Sequence, residues 1–204
     1  MLDYKNLGAE WNGRFDAVIA NGSLEHFAQP PDAVAGHDDD VYRHLFNTVH
    51  RLLDPATPDA RFVTTAIHFR ERPNPLDWLK PPSAFRRGSP EFHWSRLTRA
   101  YGGWYPTRGQ LERCAAGRFK LLDEEDGTED YRLTSEACLM AVRAILRSPM
   151  ALRVWWKALP GVARRPISTA RLLRCMLGSE SWNWQFRGDP APTILLRQTW
   201  ERTG

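Results

Sequence analysis

The chain has 204 residues, of which 42% are hydrophobic and 25% charged, with a net charge of +4. That length carries one domain with a real core, and the ordinary apolar content excludes a disordered tail. No apolar run approaches the roughly 18 residues of a spanning helix, and residues 1–6 hold no apolar signal core, so a cytoplasmic location is expected. Cys114, Cys138 and Cys175 are widely spaced and odd in number. They show no metal-ligand spacing, and reduced thiols without a metal are expected.

Residues 1–13 are polar and turn-rich, closing at Asn12-Gly13. Phe15-Asp-Ala-Val-Ile-Ala20 follows as a predicted buried strand, apolar and β-branched. It breaks at Asn21-Gly22-Ser23 and delivers Leu24-Glu25-His26-Phe27. Ligands of an open α/β sheet bind outside the carboxyl ends of its strands. A carboxylate and an imidazole just past this strand therefore stand over a cleft, or else simply begin a surface helix. Gly22 lets the backbone turn close to a ligand. Residues 28–40 read as a loop ending in a solvated run, Asp38-Asp39-Asp40; a metal there would lack a second ligand cluster.

Residues 41–53 predict an amphipathic helix on Val41, Leu45, Val49 and Leu52, with Asp40 as N-cap. His44 and His50 do not share a face at ligand spacing. Asp54-Pro55 through Pro58-Asp59 stops the helix, and residues 61–67 form a central strand. A crossover of this length fits a parallel pair. Residues 69–100 hold five prolines and little periodicity, and predict an irregular, lid-like segment with one short helix near residues 94–101. Tyr101-Gly-Gly-Trp-Tyr-Pro106 turns the chain; a helix capped by Thr107 runs to Ala116, and Gly117 ends it. Residues 119–124 are a strand, 127–130 a loop before Tyr131, and 136–146 a helix. Between Glu136 and Glu180 there is no acid, but there are Arg143, Arg147, Arg153, Lys157, Arg164, Arg165, Arg171 and Arg174. This basic helical stretch, 137–178, is expected to break at Pro160-Gly161 and Pro166. Its Trp155, Trp156 and Leu159 suit an anionic membrane surface, or the stretch is an ordinary basic face. No nucleic-acid signature accompanies it. Residues 193–200 predict the last strand.

Three motifs carry a resemblance. Phe-Asp-x-Val-x-x-x-Gly-x-x-Glu-His-Phe at residues 15–27 resembles the fourth-strand segment of class I S-adenosylmethionine-dependent methyltransferases. More narrowly, it resembles the cyclopropane-fatty-acyl-phospholipid synthase family, which includes the mycolic acid cyclopropane synthases. Asp3-Tyr4-Lys5-Asn6-Leu7 is similar to that family's Asp-Tyr-Arg-Asp-Leu. Tyr101 to Pro106, followed by Glu129-Asp-Tyr131, is similar to its Pro-Gly-Gly-Tyr-Leu-Pro … Pro-His-Tyr pattern. The resemblance implies an α/β, Rossmann-like class I methyltransferase sheet whose strands at residues 15, 61, 119 and 193 are the fourth, fifth, sixth and antiparallel seventh. It implies S-adenosylmethionine as cofactor, contacted by Asp3, Tyr4, Asn21, Gly22 and His26. It implies a bicarbonate ion held by Glu25 and Tyr131 as the catalytic pair. An unsaturated fatty acyl or other lipid substrate follows; peripheral attachment to the inner membrane face is the expectation of the basic, Trp-containing stretch.

The chain departs from the family at two places. The family's His-x-Ile after the fifth strand is replaced by Thr65-Ala66-Ile67, and its Gly-Cys before the last strand by Gly178-Ser179. A threonine donates one hydrogen bond but relays no proton near neutral pH. Nor does the sequence hold a Gly-x-Gly-x-Gly loop. The expectation is a single partial domain, residues 1–204, lacking its first strands. A complementary N-terminal chain would then supply the rest. The alternatives are a non-catalytic lipid-binding remnant and a small-molecule methyltransferase.

Overall fold

The computed structural model describes residues 7–167, 169 and 180–203. Asp3, Tyr4, Cys175, Gly178 and Ser179 lie outside them. Contacts divide the chain into two compact units. The first comprises residues 1–76, 103–128 and 193–204; the second comprises 77–102 and 129–192.

The first unit is built on a four-stranded sheet in the order β1-β2-β4-β3. Strand β1 is Ala17–Asn21, β2 Arg61–Phe69, β3 Phe119–Asp126 and β4 Thr193–Arg202. β1 and β2 are parallel, in register from Ala17 opposite Arg61 to Asn21 opposite Thr65. β4 runs antiparallel to both β2 and β3. These are the expected fourth to seventh strands, with the last one reversed. Helix α1, Pro30–Ala35, and helix α2, Asp38–Leu52, make the crossover between the parallel strands. The amphipathic pattern of α2 places Phe46 against Phe62, Phe119 and Trp200, with ring centroids 5.7, 5.7 and 5.3 Å away. The Trp200 indole N–H donates to Thr64 Oγ1 at 3.1 Å, so this buried ring leaves no stranded donor.

Three expectations about this unit are corrected. β1 is not buried: its residues alternate between exposed and half-buried, and Ile19 is 73% exposed. The cause is position. β1 is an edge, paired with β2 alone among the described residues. Residues 28–40 are not a loop, because Pro30 starts α1 at its first position and α2 begins at Asp38, with His37 rather than Asp40 at its N-cap. The aspartate run is solvated only at Asp40. Asp38 is buried and accepts from Arg72 at 2.9 and 3.2 Å and from Gln110 Nε2 at 2.9 Å. Asp39 accepts from Gln110 and Arg43, and Asp40 from Arg43. Carboxylates in the first turn also suit the positive end of the helix dipole.

The second unit is helical. Helix α3, Pro75–Leu79, straddles its first boundary, and α4 is Pro90–Tyr101. The stretch 69–100 is more regular than expected, because Ser89 caps α4 through Phe92 N–H at 3.3 Å and Pro90 takes the first turn. Helix α6, Thr128–Arg147, begins where a loop was predicted; acids Glu129 and Asp130 occupy its first turn. Helix α7, Met150–Arg164, runs through Pro160 instead of breaking there. Proline removes one backbone donor, and the turn it interrupts is exposed. Aromatic stacking holds the unit together: Trp78 on Trp94 at 5.3 Å, and His93 on Trp184 at 4.7 Å. His93 Nδ1 lies 3.0 Å from Ser181 Oγ. Arg187 bridges Glu136 and Glu180.

Replacing Asp38 by alanine removes one of the two carboxylates that hold the buried Gln110 amide and unpairs Arg72. The unfolding free energy from urea titration is expected to fall by about 2 kcal/mol, with the slope of the transition unchanged.

Candidate functional site at the carboxyl end of the first strand

The backbone of the site is set by two glycines. Gly22 has φ +59° and ends β1, its N–H donating to Thr65 O at 2.8 Å. That bond ties the turn to β2 and aims the next residues across the strand end. Leu24–His26 then forms one 3₁₀ turn, with Leu24 and Glu25 buried and His26 exposed. Gly103, φ +82°, lies directly on this turn: a Cβ there would stand 2.1 Å from Glu25 O and 3.0 Å from His26 Cα. Only glycine permits that approach.

Further bonds clamp the same contact. Trp104 N–H donates to Ala28 O at 2.8 Å, and Gly103 N–H to the Gln29 side chain at 3.3 Å. The buried Tyr42 hydroxyl of α2 donates to Trp104 O at 3.0 Å, with Leu24 O at 3.5 Å. Arg72, which pairs with Asp38, lies 5.5 Å over the Trp104 ring. The Gly-Gly-Trp-Tyr-Pro segment is thus the support for the Glu25 turn.

Glu25 is 4% exposed, and its Oε2 has no hydrogen-bond partner. Burial pushes its carboxyl up to about 7, against the pull of backbone hydrogen bonds from Glu25 itself and Ile67. It therefore titrates near neutral pH, whereas an exposed glutamate would be ionised throughout. Asn21, Gly22 and His26 are exposed around it. Beside Gly22 there is room: an added Cβ would meet only Glu25 Oε1, at 4.0 Å.

His68 does not replace the histidine missing at Thr65. It is fully buried on the opposite side of β2, with Nδ1 3.0 Å from Ala66 O. Burial lowers it to about 4, so it is a neutral core imidazole. Thr65 is half-buried and pairs with Asn21.

Of the residues singled out from the sequence, Asn21, Gly22, Glu25 and His26 come together in the first unit. Tyr131 lies on α6 in the second unit, packed on Phe186 at 5.2 Å and Trp182 at 6.2 Å. There it lines a cavity of about 250 Å³ together with Tyr101, Ser135, Cys138, Leu139 and Trp182. The sequence reading missed this cavity. Its signal was the spacing Tyr131, Ser135, Cys138, Leu139 and Val142, one face of a helix that the reading began at residue 136. It also missed Gln110, Arg72 and Tyr42 as the props of the turn.

No protein-family model and no curated protein matches the chain. Solved structures do. The cyclopropane synthase MmaA2 from Mycobacterium tuberculosis superposes with a TM-score of 0.62 at 18% identity, over 96% of this chain and 58% of that one. Coclaurine N-methyltransferase bound to N-methylheliamine and SAH gives 0.62 at 10% identity, over 98% and 51%. The [4+2]-cyclase SpnF gives 0.54 at 17% identity, over 98% and 54%. The chain thus spans little more than half the length of these structures. At such identities the likeness establishes the fold, which is the Rossmann-like class I methyltransferase fold.

For S-adenosylmethionine the strand-end residues fit: there is open space beside Gly22 and a buried carboxyl oxygen without a partner. The 204 residues contain no Gly-x-Gly-x-Gly loop that would let a second stretch of backbone approach the same cofactor.

Two substitutions test this geometry. Gly103→Ala is expected to lower the unfolding free energy by at least about 2 kcal/mol, strain and overlap combined. Gly36→Ala, at φ +74° with no atom within 4 Å of the new Cβ, costs about 1 kcal/mol by the same denaturation assay.

Glu25→Gln is read by pH. The folded protein holds the Glu25 proton up to about pH 7, while the unfolded chain releases it near 4.5. The parent therefore loses stability, relative to the variant, as pH rises through that window. The difference is expected to grow by about 3 kcal/mol and to level off above pH 7. A difference that stays flat from pH 4 to 8 would mean an ordinary carboxylate.

Proposed function

We propose that this chain carries part of an S-adenosylmethionine-dependent methyltransferase site that acts on an apolar, lipid-like acceptor. One observation carries the reading: a buried glutamate, titrating near 7, behind an open glycine at the carboxyl end of a parallel strand, in a chain of class I methyltransferase fold. S-adenosylmethionine supplies, when bound, a methyl group on a sulfonium. Asn21, Gly22 and His26 line its place, and the glycine lets the backbone approach.

The work of Glu25 follows from its proton. An ionised carboxylate repels a small anion such as bicarbonate. A protonated one donates a hydrogen bond to it. With burial holding its carboxyl at about 7, Glu25 is available in the donor form at neutral pH. That supports an anion-assisted reaction of the cyclopropane synthase type, in which a bound base removes a proton from the acceptor. Tyr131 as a second holder of that ion, and Asp3 and Tyr4 as cofactor contacts, belong to the same proposal.

A second reading is favoured by the open edge of β1 and its exposed Ile19. Here the chain does not turn over alone, and a complementary chain pairs with β1 and brings the glycine loop. Edge strands offer unpaired backbone groups to such a partner.

Calorimetric titration with S-adenosylmethionine separates the two. The first reading expects saturable binding, weakened at least about tenfold, or about 1.4 kcal/mol, in an Asn21→Ala/His26→Ala variant. A folded chain that shows no heat at millimolar ligand would overturn cofactor binding by this chain alone and leave the second reading.

A further inference from the structure

The basic stretch of the second unit has a geometry that cofactor chemistry does not use. Arg153, Lys157 and Arg164 of α7 fall within about 40° of one another around the helix axis at 3.6 residues per turn. Among the described residues none of the three forms an ion pair, although Arg143, Arg187 and Arg132 all do. The rest of the circumference is apolar. Leu152 is 78% exposed, Trp156 75% and Leu159 52%, and Met150, Val154 and Ile167 are also open to solvent. A stripe of cations flanked by exposed leucine and tryptophan is costly in water, because Leu152, Trp156 and Leu159 stay largely uncovered by the described residues.

We propose that α7 lies in the interface of an anionic phospholipid bilayer, Leu152, Trp156 and Leu159 entering the acyl boundary and Arg153, Lys157 and Arg164 at the headgroups.

Charge complementarity selects this occupant. From residue 137 to 179 the chain has eight Arg or Lys and no Asp or Glu. A protein partner would have to be acidic and to carry an apolar groove at once. A bilayer containing acidic lipids offers both along any line on its surface. Nucleic acid would pair with the cations and leave Leu152 and Trp156 in water. The helix is also suited by length and polarity to lie in the interface, since no described helix is long and apolar enough to cross a membrane. Lipid partitioning requires no S-adenosylmethionine, so this surface and the cofactor site fail or succeed separately.

The test is flotation of the purified chain with vesicles of phosphatidylcholine alone, and of phosphatidylcholine with about one-third phosphatidylglycerol, the anionic fraction that gives a strong surface potential. Binding to the anionic vesicles only is expected, and it should weaken at high salt as the Debye length shrinks. Two triple variants are then compared, Arg153→Glu/Lys157→Glu/Arg164→Glu and Leu152→Ser/Trp156→Ser/Leu159→Ser. Each is expected to lower the partition coefficient at least about tenfold, with the far-ultraviolet circular dichroism and unfolding midpoint of the parent. Brominated acyl chains should quench the fluorescence of the parent more than that of Trp156→Phe, which places the ring below the headgroups. Equal binding to both vesicles, or binding that survives the Leu-Trp-Leu variant, overturns the proposal. So does a dimer in sedimentation velocity that the same variant dissolves while no vesicle is bound. Duplex DNA binding that needs the cations and ignores the apolar triple overturns it as well.

Discussion

Everything at the candidate site depends on one close contact, Gly103 against the backbone of Glu25 and His26. Two segments almost eighty residues apart touch without a side chain between them, and each then fixes the other. The Glu25 turn cannot swing outward, because Gly103, Trp104 and Tyr42 occupy the space and the hydrogen bonds behind it. The turn cannot sink inward, because Gly22 is bonded to Thr65 in the middle of β2. A buried carboxyl group stays where its desolvation is expensive only if its backbone is held in this way. The raised Glu25 proton affinity is therefore a consequence of the packing, not a property of the residue alone.

The same contact explains why the supporting residues are polar and buried. Asp38 sits at the start of α2, in the first turn, where the helix dipole favours a carboxylate. From there it orders Arg72 beyond the end of β2 and Gln110 at the start of helix α5, Gln110–Ala115. Gln110 Oε1 in turn accepts from Thr107 N–H at 2.9 Å. The path from α2 to the Gly-Gly-Trp-Tyr-Pro segment is thus a chain of hydrogen bonds with few loose members. Such a network is strong when complete and costly when broken.

Much of the sheet was legible because its signals are local. β1, β2 and β4 each show an apolar, β-branched run bounded by turn residues, β3 a shorter Phe-Lys-Leu-Leu run after Gly117, and the crossover length fixed which pairs run parallel. What the sequence could not show was exposure. Ile19 and Val18 look like core residues in any window, and only the pairing reveals that β1 is an edge. The aspartate run was misread for the opposite reason: three consecutive acids look solvated, while Arg72 and Gln110, the partners that bury Asp38, are more than thirty residues away. The start of α6 was misplaced because Asp126-Gly127-Thr128 reads as a turn, although the Asp126 carboxylate caps the helix by accepting from Thr128 N–H at 2.9 Å. At the site, Asn21, Gly22, Glu25 and His26 were legible as a motif. The role of Gly103 was not, because a close approach leaves no trace in composition.

The fold narrows the chemistry without choosing it. A cyclopropane synthase, an N-methyltransferase and a [4+2]-cyclase share this sheet at similar similarity to the chain. A scaffold that hosts both methyl transfer and a cycloaddition leaves the reaction to the groups at the strand ends. Here those groups are Asn21, His26, a buried acid that titrates near neutral pH and an opening beside a glycine. Thr65 relays no proton near neutral pH, and the buried imidazole of the same strand, His68, is turned to the far side of β2 and held neutral. In the reading proposed above, the base is Glu25 itself or an ion that Glu25 binds. The two differ in sign with pH: a glutamate base gains activity as pH rises through about 7, whereas an anion held by the protonated acid is released over the same interval.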